Sequence, residues 1–137
     1  MKDAADYLAY IKALIVAHPQ VAHCAIQREE AQGDEGLLRV RLTLRDGGLL
    51  ELCERFTIAS GRVRTIKYRF HWQDATGQLR KRWDNAAHHP EMPTCPDHVH
   101  EGAETNVLPH RALSATEVLA MIAPEAESPD GVIERND

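Results

Sequence analysis

From Leu38 onward the chain alternates: Leu38, Val40, Leu42 and Leu44 interleave with Arg39, Arg41, Thr43 and Arg45. Successive side chains of a strand point to opposite faces, so this two-residue period predicts a half-buried strand. Turn signals then recur at Asp46-Gly47-Gly48, Ser60-Gly61 and Asp74-Ala75-Thr76-Gly77. They divide the middle of the chain into the predicted strands Leu49 to Ile58, Arg62 to Trp72 and Leu79 to Asp84. Ahead of them, Val21 to Gln27 reads as a further strand that leads into the turn-like Gln32 to Gly36. Such spacing builds an antiparallel meander of about five strands.

Helical periodicity appears only at the two ends. Tyr7, Leu8, Ile11, Leu14 and Ile15 recur at helical spacing between Asp3 and His18, and Pro19 stops the pattern. Near the other end Ser114-Ala115-Thr116-Glu117 is a capping box that opens a short helix, expected to end before Pro124. The predicted fold is therefore α+β: an N-terminal helix, the meander sheet, a long Pro/His-rich loop and a short C-terminal helix. A single domain is expected over residues 1–124, and 125–137 is expected to be an acidic, mobile tail, a length that suits one hydrophobic core.

On the strand from Arg62 to Trp72, the side chains of Ile66, Tyr68, Phe70 and Trp72 fall on one face, and Lys67, Arg69 and His71 on the other. The apolar face is expected to be buried. Residues 37–83 carry eleven Lys and Arg against four Asp and Glu, although the whole chain has a formal charge of -5. Arg39, Arg41, Arg45 and Arg55 on neighbouring strands would extend a basic face suited to phosphates. Glu54 interrupts the inward series Leu50, Leu52, Phe56 and Ile58. A β-bulge is the expected reason, ahead of a strand end or a half-buried carboxylate. No apolar run is long enough to span a membrane, and the acidic start does not resemble a secretory leader. Three cysteines without CxxC spacing argue against a disulfide framework, so a reducing, cytoplasmic setting is expected.

Trp83 to His100 holds three prolines and four histidines in eighteen residues. The prolines argue for an extended, stiffened loop, and the histidines for a functional one. Imidazoles suit proton transfer to and from a ribose hydroxyl and a leaving oxygen, with arginines stabilising the phosphate between them. The alternative is that His98-x-His100 with a nearby Asp or Cys binds zinc; standard zinc spacing is absent, so no cofactor and no metal ligand is expected.

The strings Lys67-Tyr68-Arg69-Phe70-His71-Trp72-Gln73-Asp74, Asp84-Asn85-Ala86-Ala87-His88-His89-Pro90-Glu91-Met92-Pro93-Thr94 and His98-Val99-His100 resemble the TumE family, small bacterial toxins of type II toxin–antitoxin pairs. The resemblance covers about residues 45 to 122. It departs at Cys95-Pro96-Asp97-His98, where the family tends to show Phe-Pro-His-His. The resemblance implies a helix-turn-helix antitoxin as partner. Combined with the basic face, it leads to an RNA-cleaving inhibitor of translation. In that scheme His71, His88 and His89 are candidates for acid and base, Asp84 orients an imidazole, and His98 and His100 close the pocket. Arg39, Arg41, Lys67, Arg69 and Arg82 would grip RNA phosphates. Self-association is left open. The rival readings are a toxin that binds nucleic acid or the ribosome without cleaving, and a nucleotide-modifying transferase; against the latter, no P-loop or GxGxxG is present.

Overall fold

The computed structural model describes residues 1–127. Helix α1 spans Ala4–Ala17, and the Asp3 side chain caps it by accepting from the Asp6 N–H. Strands β1 (Val21–Gln32), β2 (Glu35–Leu44), β3 (Leu49–Ala59), β4 (Arg62–Gln73), β5 (Leu79–Asp84), β6 (His98–Glu101) and β7 (Val107–Pro109) precede α2 (Ala115–Glu127). The strands form one seven-stranded antiparallel sheet in sequence order, a full meander. The β3–β4 hairpin turns through Ser60 at φ 54° and Gly61 at φ 75°. Two successive left-handed residues match the right-handed strand twist.

Both helices pack on one face of the sheet. Tyr7, Leu8, Ile11 and Ile15 of α1 and Val118, Leu119 and Ile122 of α2 bury against Val40, Leu52, Phe70, Trp83 and their neighbours. Ser114 and Glu117 form the expected capping box, with the Ser114 N–H donating to Glu117 Oε1 at 2.9 Å. The helix runs past Pro124 to Glu127 rather than ending before it. The end was expected there because a proline removes its own N–H bond and crowds the preceding turn. Residues 128–137 of the expected acidic tail lie outside the described residues.

Five strands were expected and seven are present. The additional pair is short: β6 has four residues, two of them histidine, and β7 has three and ends on Pro109, a residue suited to a sheet edge. The stretch expected as one extended loop from Trp83 to His100 is thus the end of β5, a run of tight turns and the start of β6. Its turns are closed by Met92 N–H to His89 O, Cys95 N–H to Met92 O and Asp97 N–H to Thr94 O.

The expected bulge is displaced to the facing strand. Glu54 lies in regular β3 pairing and is fully buried, inward between Leu52 and Phe56. The irregularity falls opposite the Arg55–Phe56 step, so Ile66 of β4 is extruded and 48% exposed rather than buried. That shift turns Thr65 inward, where its hydroxyl donates to Glu54 Oε2 at 2.6 Å, while Tyr7 donates to Oε1 at 2.8 Å.

Desolvation pushes the Glu54 carboxyl above the ordinary range, against the opposing hydrogen bonds from Thr65, Tyr7 and the Ala115 backbone. A carboxyl that holds its proton more tightly when folded favours the folded state most in acid, and that contribution falls as pH rises through its folded pKa. Glu54→Gln, which cannot ionise, is expected to lose less stability than wild type between acid and neutral pH. Urea unfolding of both proteins at intervals from acid to neutral pH tests this; parallel stability curves contradict it.

Candidate active site

On the sheet face away from the helices, strand pairing aligns side chains in two rows. One runs Arg39, Cys53, Arg69, Asp84 and His98, and the next Arg41, Glu51, His71, Arg82 and His100. Residues directly opposite on antiparallel strands stand roughly 4.5–5.5 Å apart and share a face. Asp84 is thereby held between a guanidinium on one side and an imidazole on the other.

The sheet parts beside this point. Strand β5 stops at Asp84, and the Asn85 side chain takes over its pairing with β4, accepting from the Tyr68 N–H at 3.1 Å and donating to the Ile66 carbonyl at 3.0 Å. The gap is a cleft of about 350 Å³ lined by Lys67, Arg69, Arg82, Asp84 and the four histidines His88, His89, His98 and His100.

At its floor Asp84, His98 and His100 are all buried. The Ala86 N–H donates to Asp84 Oδ1 at 3.0 Å. His98 Nε2 lies 3.1 Å from Oδ1, and His100 Nε2 lies 3.6 Å from Oδ2. The other ring nitrogens face main-chain carbonyls, His98 Nδ1 at 2.9 Å from Pro96 O and His100 Nδ1 at 2.8 Å from Glu104 O. A carbonyl oxygen only accepts, so Nδ1 carries a proton in both rings and the Nε2 atoms are directed at the carboxylate. His89 leans over this pair from the turns, with ring centroids 5.0 Å from His98 and 5.9 Å from His100.

The predicted site residues separate into three groups. Asp84, His88, His89, His98 and His100 meet in the cleft with Lys67 and Arg69. Arg82 joins them but is engaged: its guanidinium makes a forked pair with Glu104 and lies 3.6 Å from Asp84 Oδ2. Hydrogen bonding to Arg82 holds the Glu104 carboxyl below its ordinary range. Arg41 pairs with Glu51 at 3.4 Å, and His71 sits outside the cleft, its Nε2 2.9 Å from Gln73 Oε1 and its Nδ1 buried without a hydrogen-bond partner among the described residues. Arg39 lines a second cleft of about 310 Å³ with Arg55, and Lys67 and Arg69 form its boundary with the first. Arg39, Arg55, Lys67 and Arg69 make no ion pair among the described residues. Arg45 leaves this face and donates to the Pro19 carbonyl at 2.9 Å.

A family model described as Toxin TumE matches residues 11–128, most of the chain and the whole of this site. The chain belongs to the TumE toxin family. No curated protein and no solved structure matches it. Membership in TumE makes the protein a toxin and implies an antitoxin partner in general terms. No described helix is long and apolar enough to cross a membrane.

Three residues of this TumE site are not evident from sequence. Asn85 lies inside the string that carries the family resemblance, but nothing in its type shows that it replaces a strand partner. Glu104 comes from the β6–β7 turn, a hairpin that the sequence does not reveal. Asp97 accepts the Tyr68 hydroxyl at 2.9 Å. Burial and this carboxylate push the Tyr68 phenol upward, which fixes it as part of the wall rather than a free stacking platform.

Proposed function

We propose that this TumE toxin acts in the cytoplasm on RNA, cleaving the phosphodiester backbone and so inhibiting translation. The observation that carries the reading is the join between the two clefts: cations on β2–β4 that make no ion pair among the described residues lead directly into a cleft lined by four imidazoles and one buried carboxylate. From Arg39 to His98 the row crosses four strand spacings, roughly 19 Å at about 4.8 Å each, a track for an extended single strand. Guanidinium groups along it hold phosphates in two-pronged hydrogen bonds. At its end His88 and His89, on the open side, are placed to take and return protons at a ribose hydroxyl and a leaving oxygen. His98 and His100, fixed by carbonyls and Asp84, form a rigid wall beside the phosphate charge that develops in between. Imidazole chemistry of this kind needs no cofactor.

A helix-turn-helix antitoxin that covered the cation track would neutralise such a toxin, the type II arrangement. The competing reading, binding without cleavage, uses the same cations but gives the histidines no task.

The test is expression without antitoxin of wild type and of a His88→Ala, His89→Ala double variant, with growth and RNA ends followed together. Reproducible new RNA ends are expected with wild type and at least a tenfold reduction with the variant, whose retained affinity for single-stranded RNA separates cleavage from binding. Growth arrest with intact RNA rules cleavage out.

A further inference from the structure

We infer that His89, His98 and His100 form a binding site for a divalent transition-metal ion of the zinc class, with Asp84 beneath it. Sequence spacing argues against a metal, because His89 and the His98-x-His100 pair match no standard zinc pattern. Spacing is a poor guide here: the ligands come from two sides of the β5–β6 connection, and the fold brings them together.

The donor set is convergent. One nitrogen from each of the three rings lies within 4.8 Å of the others. Zinc–nitrogen bonds of about 2.0–2.1 Å require neighbouring donors to be roughly 3.4 Å apart in a tetrahedron, so a small inward movement completes the set. His89 is carried by the turns and is 29% exposed in its side chain, whereas His98 and His100 are fixed on β6. The rings stand edge-to-face at 69° to 72°, with none stacked on another.

The surroundings are those of metal-ligating histidines. Such residues nearly always give their second ring N–H to a carbonyl or a carboxylate, which sets the tautomer and the ring angle. His98 Nδ1 faces the Pro96 carbonyl, His100 Nδ1 the Glu104 carbonyl, and His89 Nδ1 lies 3.4 Å from Glu91 Oε2. In His98 and His100 this leaves Nε2, the atom that faces Asp84, for a ligand. Asp84 Oδ1 and Oδ2, at 3.1 and 3.6 Å from the two buried Nε2 atoms, bracket the edge length of a coordination tetrahedron. A cation seated between them satisfies two lone pairs and a buried carboxylate at once. The nearby positive charge of Arg82 is offset by Glu104.

The site stands apart from the RNA reading, since it is defined by its ligands and can be read without RNA. A bound cation would occupy the His89 lone pair that proton transfer uses, so the ion and the cofactor-free chemistry exclude one another at His89.

The experiment is calorimetric titration of the metal-stripped full chain with Zn²⁺, and with Co²⁺ for its absorption spectrum. One equivalent is expected to bind, with the spectrum of nitrogen and oxygen ligands and no thiolate band. His89→Ala, a change in the exposed turns, is expected to weaken binding beyond the roughly 10–100-fold typical of losing a supporting partner. Circular dichroism confirms that this variant is folded, and Cys95→Ser is expected to bind like wild type. Absence of saturable binding, full affinity in His89→Ala, or loss of binding in Cys95→Ser overturns the inference. None of these results bears on whether RNA is cut.

Discussion

Replacing Trp83 by alanine is expected to remove about 3–5 kcal/mol of folding stability, the range for deleting a large buried aromatic side chain. Trp83 is 2% exposed and faces the core between its cross-strand partners Phe70 and Val99. On a strand, its neighbours in sequence must point the other way, and those neighbours are Arg82 and Asp84. The indole therefore sets how deeply β5 sits and, with it, the height of the Asp84 carboxylate in the cleft. Against a typical total of about 5–15 kcal/mol, the loss takes at least roughly a fifth of the stability. Urea denaturation measures it directly, and a change below about 1 kcal/mol would show that the ring is not the anchor described.

The second large effect is on activity. Asp84→Asn keeps the shape of the side chain but removes the charge that faces His98, His100 and Arg82. If the imidazoles carry protons for RNA cleavage, the rate is expected to fall by roughly 10²–10⁴, the usual worth of positioned acid–base catalysis. Asp84 is a positioning residue, so loss of rate alone does not separate its electrostatic role from a structural one. The pH–rate profile does: its limbs are expected to move in Asp84→Asn and to return toward wild type in Asp84→Glu. A profile unchanged in shape, with only its height reduced, would falsify the electrostatic role.

The meander was legible because Leu38–Leu44 alternates cleanly and because glycine turns recur, and the helices because their caps and apolar spacing are conventional. Both signals are local. What the sequence did not show depends on a partner strand. Glu54 looked like a flaw in its own strand, whereas its environment is made by Tyr7, Thr65 and a bulge at Ile66, none of them adjacent in sequence. Strands β6 and β7 were hidden because proline and histidine dominate a segment too short to have a period.

The site was legible in outline for a related reason. Asp84, His88, His89, His98 and His100 stood out by type and by the family strings, and they do meet. His71, in an equally conspicuous string, shares a cross-strand row with His100 but stands outside the cleft. Its string is a strand, so its place was fixed by pairing with Arg82 and Glu51 rather than by the company it keeps in sequence.

The strands lie in the sheet in sequence order, so the last strands made complete the site. As the chain leaves the ribosome, α1 and the first four strands can pair while His98 and His100 are still to be made. At that stage the cations of β2–β4 have been made and the His98–His100 pair has not. A chain broken off before β6 would carry the cations of β2–β4 but lack His98 and His100, the floor of the cleft.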